Sequence, residues 1–205
     1  MRKLLLILMI MVIHGVARAD TVLILGDSIS AGYGLEKLEY GWVELLRARL
    51  AGRGWTVANA SISGETSAGG LLRLDGLLQH YKPAVVVLEL GANDGLRGQP
   101  PRQLEANLGE MILRSRAVGA KPILLGMKIP PNYGKRYADQ FEQVFAKVAH
   151  DHEVPFVPFL LDGVGGQNHL MQADGLHPNR NAQGILLGLV WEKLGPVLGG
   201  GKPRN

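Results

Sequence analysis

The sequence predicts an α/β fold in which a doubly wound sheet of about five parallel strands is covered by helices on both faces, giving three layers. Two observations support this prediction. Apolar, β-rich segments alternate along the chain with segments whose apolar residues recur at spacings of three and four, as on one side of a helix. The segment AVVVLEL at 84–90 is also apolar at nearly every position, which is typical of a parallel strand buried on both faces.

The predicted strands are separated by gaps long enough for a helix, as crossover connections between parallel strands require. The strands are expected at residues 21–25, 56–60, 84–90, 122–127 and 155–157. The helices between them are expected at 40–50, 71–80, 103–118 and 140–150, and a last helix at about 180–194.

Length and composition predict one globular domain. The chain has 205 residues, of which 46% are hydrophobic and 20% are charged, and these values suit a single domain with a full core. No internal repeat or long linker divides the sequence, and the C-terminal GGGKPRN is expected to fray. We therefore expect a single domain at 20–205.

The first nineteen residues, MRKLLLILMIMVIHGVARA, have the pattern of a secretory signal peptide. Arg2 and Lys3 precede a ten-residue apolar run at 4–13, and the segment ends in ARA at 17–19. The alternative is a membrane anchor, but ten helical residues cover only about half of a hydrocarbon core roughly 30 Å thick. We expect cleavage after residue 19, no stable membrane anchor, and a protein that is periplasmic or released from the cell.

Charge and cysteine content exclude several classes of function. The full chain has a formal net charge of +4, and loss of the leader leaves 19 basic against 18 acidic residues. A near-neutral protein without a Lys/Arg run lacks the basic surface that binds the phosphates of nucleic acid. The sequence contains no cysteine, which excludes disulfides, thiolate zinc sites, a cysteine nucleophile and an acylated cysteine anchor.

The segments that follow the strands are candidates for function, because ligands of doubly wound sheets bind beyond the carboxyl ends of the strands. These segments are GDS at 26–28, ISGET at 62–66, GAND at 91–94 and KIPPNYG at 128–134, with DGLHPN at 174–179 just before the last helix.

Ser28 of the GDS segment is compatible with two roles. It is either a nucleophile presented at the end of a strand, or Asp27 and Ser28 cap the helix that follows.

A serine nucleophile needs a base, a group that orients the base, and donors for the oxyanion. Asp174 and His177 offer the orienting acid and the base within one turn. In the alternative, Asp174 forms an Asx turn and His177 starts the last helix, with Pro178 as its first residue.

Oxyanion donors are expected at three places: the backbone N–H groups of Ser28 and Gly64, and the side-chain amide of Asn93. The alternatives are structural, since Gly64 can relieve a tight turn before a helix capped by Thr66, and Asn93-Asp94 can form a turn. These segments follow the first three predicted strands, and the DGLHPN segment precedes the last helix. The carboxyl ends of parallel strands lie at one edge of the sheet, so we favour a shared catalytic site over separate structural roles.

The blocks GDS at 26–28, Gly64, GAND at 91–94 and DGLHP at 174–178 resemble those that define the SGNH, or GDSL-type, hydrolases. The resemblance extends over about residues 21–194. Within that family, the chain is most similar to the periplasmic group of multifunctional thioesterases, proteases and lysophospholipases, which includes arylesterases. The segments that carry this similarity are TVLILGDSISAGYG, NASISGETS, ELGANDGLRG, KIPPNYGKRY and DGLHPNRNAQ.

The resemblance implies a flavodoxin-like sheet, a catalytic triad of Ser28, His177 and Asp174, and an oxyanion hole formed by Ser28, Gly64 and Asn93. It implies no metal and no cofactor, and a small-molecule acyl ester or thioester as substrate. An ordinary α/β-hydrolase is the second interpretation, but GDSIS lacks the final glycine of the GxSxG elbow.

An apolar wall beside Ser28 is expected from Leu96 and from four residues of the loop after the fourth strand: Ile129, Pro130, Pro131 and Tyr133. Such a wall favours fatty-acyl or aryl esters over sugar acetates, and the alternative role of these residues is loop packing. The resemblance implies a broad esterase that accepts thioesters, aryl esters and lysophospholipids. The rival functions are a carbohydrate acetyl esterase on the same fold and a non-catalytic periplasmic lipid-binding protein. We expect a monomer.

Other signals for cofactors are weak. His150, His152 and His169 lack the spacing of a known metal site, and they are expected to be solvated or to lie at a helix end. The sequence has no GxxxxGK[ST] phosphate loop, and GYGLEK does not match GxGxxG.

Overall fold

A computed structural model describes residues 19–199 of the chain, with only the backbone described at Pro131. The expected signal peptide, apart from Ala19, and the expected frayed tail from residue 200 onward lie outside the described residues.

Strands and helices alternate along the described chain, as the sequence predicts. The strands are β1 (Asp20–Gly26), β2 (Trp55–Asn59), β3 (Val85–Glu89), β4 (Lys121–Leu125) and β5 (Phe156–Val157). The α-helices are α1 (Ser28–Ala31), α2 (Trp42–Leu50), α3 (Ser67–Tyr81), α4 (Ala92–Leu96), α5 (Pro101–Ala117), α6 (Lys135–Asp151) and α7 (Gln183–Val197). Short 3₁₀ turns lie at Leu38–Tyr40, Pro131–Tyr133 and Arg180–Ala182.

The five strands form one parallel sheet in the order β2-β1-β3-β4-β5. This is the flavodoxin-like order, in which the chain direction across the sheet reverses between β1 and β3. The predicted fold class is therefore confirmed. In the register of these two strands Gly26 lies opposite Glu89, so the carboxyl ends of β1 and β3 meet at one edge of the sheet.

The core lies on both faces of the sheet. The side chains at 22–25 in β1 and at 86–89 in β3 are completely buried, which explains why these strands are apolar on both faces. Helices α2 and α7 pack against each other, while α3, α5 and α6 pack in a row. Within residues 19–199, no helix combines the length and the apolar character needed to cross a membrane.

The start of the last helix differs from the sequence-based alternative. Pro178 is not its first residue, because it forms an isolated antiparallel bridge with Met171. A 3₁₀ turn capped by the Asn179 side chain follows, and α7 begins at Gln183. This arrangement leaves His177 in a loop, where its side chain faces the end of β1.

Candidate active site

Ser28 begins α1 directly after β1. Asp27 rather than Ser28 caps this helix, since its Oδ1 accepts a hydrogen bond from the N–H of Ile29 at 3.0 Å. Gly32 ends the helix in the left-handed conformation, with φ of 74°. The hydroxyl of Ser28 is therefore not used by the cap and is available to other groups.

Ser28, His177 and Asp174 form a continuous chain of hydrogen-bonding groups. The Nε2 atom of His177 lies 2.9 Å from Oγ of Ser28, and Nδ1 lies 2.7 Å from Oδ2 of Asp174. The base and its orienting acid come from the same loop, while the hydroxyl comes from the other end of the chain. This is the arrangement in which an imidazole can accept a serine proton.

The carboxylate of Asp174 is fixed by its own turn. Its Oδ1 accepts hydrogen bonds from the N–H groups of Leu176 and His177, at 2.9 and 3.0 Å, so the Asx turn exists beside the contact with the imidazole. Burial acts to raise the pKa of Asp174, but the hydrogen bonds from the His177 side chain and from these two N–H groups outweigh it and lower the pKa to about 2.

The His177 loop is held against the loop that follows α1. The rings of Tyr33 and His177 lie 4.6 Å apart between centroids at a tilt of 43°. The Gln172 side chain donates to the carbonyl of Tyr33 at 2.8 Å and to the carbonyl of Pro178 at 3.1 Å. One amide thus joins the two segments that carry the nucleophile and the base.

The three expected oxyanion donors lie on adjoining segments. Gly64 has φ of 80°, a conformation that favours glycine, and neither its N–H nor that of Ser28 is bonded to another backbone group within residues 19–199. Asn93 lies in the first turn of α4, where its Nδ2 donates to Oδ2 of Asp27 at 3.2 Å and to the carbonyl of Glu65 at 3.0 Å. This amide therefore connects the segments that follow β1, β2 and β3.

The residues around Gly64 and Asn93 also have structural roles. Thr66 caps α3 by accepting from the N–H of Gly69, as the structural alternative predicts. Asp94 is buried and accepts hydrogen bonds from the N–H and hydroxyl of Ser67. The turn at 91–94 is thereby fixed to the start of α3, which holds the Asn93 amide in place.

Comparison with known proteins decides the family. The model of the GDSL-like Lipase/Acylhydrolase family matches residues 24–185, a range that includes all four blocks. The chain belongs to this family.

Similar proteins agree with this assignment. The chain is 55% identical to Esterase TesA of Pseudomonas aeruginosa over 184 residues, which are 89% of this chain and 91% of that protein. It is 42% identical to Thioesterase 1/protease 1/lysophospholipase L1 of Escherichia coli over 182 residues, 89% of this chain and 86% of that protein. A crystal structure of TesA superimposes with a TM-score of 0.83 at 54% identity, covering 87% and 99% of the two chains. This GDSL-family protein is therefore a carboxylic ester hydrolase.

Two buried carboxyl groups of this hydrolase are not among the functional residues predicted from the sequence. Glu89 ends β3 with no exposed surface, and Asp27 is 1% exposed. Burial, followed by the neighbouring Asp27 charge, raises the pKa of Glu89, and burial raises the pKa of Asp27 to about 6. The sequence signal for Glu89 is an acidic residue inside the apolar run AVVVLEL, and Asp27 is indicated by sequence only as a helix cap.

The residues expected to form an apolar wall lie in different environments. Ile129 is 8% exposed and packs where Gly95 leaves room for it, so loop packing describes this residue. Leu96 and Pro130 are partly buried, Tyr133 is exposed, and the side chain of Pro131 lies outside the described part of the structure. Contact of these residues with substrate stays a prediction.

The three histidines considered as metal ligands, His150, His152 and His169, lie at the protein surface or at a helix end. His150 is in the last turn of α6, 3.3 Å from the Asp151 carboxylate, and His152 is the C-cap of that helix. His169 is exposed. Across residues 19–199, no group of three or more His, Cys, Asp or Glu side chains is placed to hold a metal ion.

Proposed function

We propose that this hydrolase cleaves acyl esters and thioesters with Ser28 as nucleophile, His177 as general base and Asp174 as the group that orients the base. The observation that carries the proposal is the chain of contacts from Ser28 Oγ through the imidazole to Asp174, at 2.9 and 2.7 Å.

The reaction proceeds in two half-reactions. His177 Nε2 takes the proton of Ser28 as Oγ bonds to the substrate carbonyl carbon, and the carbonyl oxygen becomes an oxyanion. Collapse of this intermediate breaks the bond to the alcohol or thiol, which leaves with the proton from Nε2. Water then attacks the acyl-enzyme with the same base, which releases the acid and restores Ser28.

The oxyanion is bound by the N–H groups of Ser28 and Gly64 and by the Asn93 amide. Asp174 contributes a negative charge beside Nδ1, because its pKa of about 2 keeps it ionised when His177 becomes positive. It also fixes the tautomer with the proton on Nδ1, so that Nε2 is free to accept the Ser28 proton.

The proposed substrates are fatty-acyl thioesters, aryl esters and lysophospholipids. The names of the relatives, which include a thioesterase and lysophospholipase, support this range. The exposed side chains of Tyr33 and Leu176 also support it, since Tyr33 packs on His177 and Leu176 precedes it, so both offer apolar surface beside the imidazole. A preference for acetyl esters of sugars is the alternative that the assay must exclude.

We further propose that the protein is exported, loses residues 1–19 and acts as a monomer. The charged start, apolar run and ARA end of that segment support export. N-terminal sequencing of protein from the periplasmic fraction is expected to begin at Asp20. A mature protein that begins at Met1 would contradict the processing, and a dimer in solution would contradict the monomer.

Two measurements test the function. A fluorophosphonate probe is expected to label the wild type and the Ser63→Ala variant, which alters an exposed serine, but not Ser28→Ala. Full esterase activity in Ser28→Ala would end the proposal, and an unlabelled, inactive wild type would favour a lipid-binding protein. Nitrophenyl esters of increasing chain length then separate the substrates: rising kcat/KM supports fatty-acyl esters, and a maximum at acetyl supports the alternative.

A further inference from the structure

The Glu89 carboxyl group lies directly beside the turn that carries Ser28. Its Oε2 accepts a hydrogen bond from the N–H of Asp27 at 3.2 Å and one from the hydroxyl of Ser30 at 2.6 Å. These two donors stand on either side of Ser28 in the sequence. A single buried oxygen therefore holds both ends of the four-residue segment Asp27–Ser30, which contains Ser28.

Gly26 makes this contact possible. A Cβ atom at position 26 would lie 2.5 Å from Glu89 Oε2 and 2.8 Å from Ser30 Oγ, both closer than real Cβ contacts. Gly26 is not among the glycines with positive φ, so the GDS block needs a glycine there for space rather than for conformation. The absence of a side chain at Gly26 lets the carboxyl group reach the backbone.

The charge state of Glu89 follows from its surroundings. The second oxygen, Oε1, is buried with no hydrogen-bond partner within residues 19–199, and no Lys or Arg of that range is paired with Glu89 in an ion pair. Burial and the nearby Asp27 carboxyl both raise the pKa of Glu89, which favours the neutral acid. A neutral acid keeps an acceptor for Asp27 and Ser30 without adding a negative charge beside the Asp27 carboxyl group and the turn that carries Ser28.

We propose that Glu89 is a positioning residue for the nucleophile: by binding the Asp27 N–H and the Ser30 hydroxyl, it fixes the turn that aims Ser28 Oγ at His177. The same turn places the Ser28 N–H for the oxyanion. The inference rests on the proposed role of Ser28. What the site requires at position 89 is a neutral acceptor, and a glutamine can supply one.

Two substitutions of the full-length enzyme separate positioning from simple packing. Glu89→Gln keeps a carbonyl acceptor and is expected to retain kcat within about threefold. Glu89→Met has a similar length but no acceptor, and we expect kcat to fall by about 10- to 100-fold with KM changed by less than about threefold, because a displaced nucleophile lowers the rate of the chemical step. The rate constant for fluorophosphonate labelling of Ser28 is expected to fall in parallel, and circular dichroism reports the folded fraction.

The outcomes are distinct. Wild-type kcat per folded molecule in Glu89→Met, even with a lowered melting temperature, would overturn the inference and leave a purely structural role. A Glu89→Gln variant as slow as Glu89→Met would also overturn it, since the carboxyl group itself would then be required. If Glu89→Met does not fold, Ser30→Ala is used instead, because it removes the hydroxyl that donates to Glu89. A several-fold loss of kcat at constant KM in this variant supports the inference, and an unchanged kcat overturns it. Esterase activity in Ser28→Ala would instead mark failure of the proposed function.

Discussion

The side-chain amide of Asn93 donates one hydrogen bond to Oδ2 of Asp27 and another to the carbonyl of Glu65, at 3.2 and 3.0 Å. Both N–H bonds of the amide therefore have an acceptor before substrate binds. An oxyanion at this site must share the hydrogen that now faces Asp27, which is the longer of the two contacts. The bond to Glu65 meanwhile keeps the amide in one orientation, which suits the role of oxyanion donor that we propose for Asn93.

Asn93→Ala is expected to lower kcat by roughly 10²- to 10³-fold with a smaller change in KM, because the lost hydrogen bond forms with the oxyanion and not with the bound ester. Steady-state kinetics on a nitrophenyl ester measure both constants. Asn132→Ala, at an exposed asparagine, is the control and is expected to match the wild type. A rise in KM alone would show that Asn93 binds substrate rather than the transition state.

Asp174→Asn is expected to lower kcat/KM by between about 10² and 10⁴, because an amide beside Nδ1 can stabilise the tautomer that carries its proton on Nε2. The exposed Asp162 provides the control Asp162→Asn. If the control loses as much activity, general loss of surface charge rather than the imidazole contact is responsible.

The pH dependence of the same carboxylate follows from its lowered pKa. A pKa lowered from 3.8 to about 2 means that the stabilisation from Asp174 is present above about pH 4 and is lost only as the pH falls through about 2. Asp174 is therefore expected to stay ionised above about pH 4. Carbon-13 NMR of its carboxyl group over a pH titration measures the protonation state, and a midpoint above about pH 4 would contradict this assignment.

Stability is expected to fall as the pH rises from about 4 to about 6, the opposite of the usual effect of carboxylates. Burial raises the pKa of Asp27 from 3.8 to about 6 and also raises that of Glu89, so the folded state holds protons that the unfolded state releases. For Asp27 alone the loss in the free energy of unfolding is on the order of 3 kcal/mol. Urea unfolding at about pH 4.5 and about pH 7 measures this pH dependence. Glu89→Gln is expected to make the free energy of unfolding depend less on pH. Equal unfolding free energies at both pH values in the wild type would contradict the prediction.

Gln172→Leu removes the amide that joins the Tyr33 and Pro178 carbonyls while keeping a side chain of similar size. We expect kcat to fall by about tenfold or more, since a small displacement of the base relative to the nucleophile slows proton transfer. Gln167→Leu, at an exposed glutamine of the preceding loop, is the matched control. Unchanged kcat in Gln172→Leu would show that the Tyr33–His177 ring contact alone holds the two loops together.

The sequence predicts the long elements well, because the strands are mostly apolar and each long helix has a one-sided apolar pattern. The elements that form the site are harder to predict. Helices α1 and α4 have four and five residues, too few to show a helical period, and caps rather than periodicity determine where they lie. The Asp27 cap indicates the first of them, while α4 was expected only as a turn.

Ser28 and His177 are 149 residues apart in the sequence. Their contact can nevertheless be predicted, because a serine nucleophile needs a base. No comparable rule predicts that Gln172 reaches the Tyr33 carbonyl 139 residues away. For Glu89 the apolar run reveals a buried acid, but its partners Asp27 and Ser30 become visible only when the register of β1 and β3 is known.

Gly95→Ala tests whether the close packing behind the Asn93 turn limits stability. A Cβ atom at position 95 would lie 2.5 Å from Ile129 Cγ2 and 2.7 Å from Phe141 Cε2. Because these buried side chains would have to move, we expect Gly95→Ala to lower the free energy of unfolding by roughly 1–3 kcal/mol. Gly76→Ala is the matched control, because Gly76 is an exposed helical position of α3 with no atom within 4 Å of the added Cβ. There the substitution is expected to raise stability by up to about 1 kcal/mol. Urea unfolding at one pH compares the two variants. A gain of stability in both would mean that helix propensity, not the contact with Ile129 and Phe141, determines the effect at position 95.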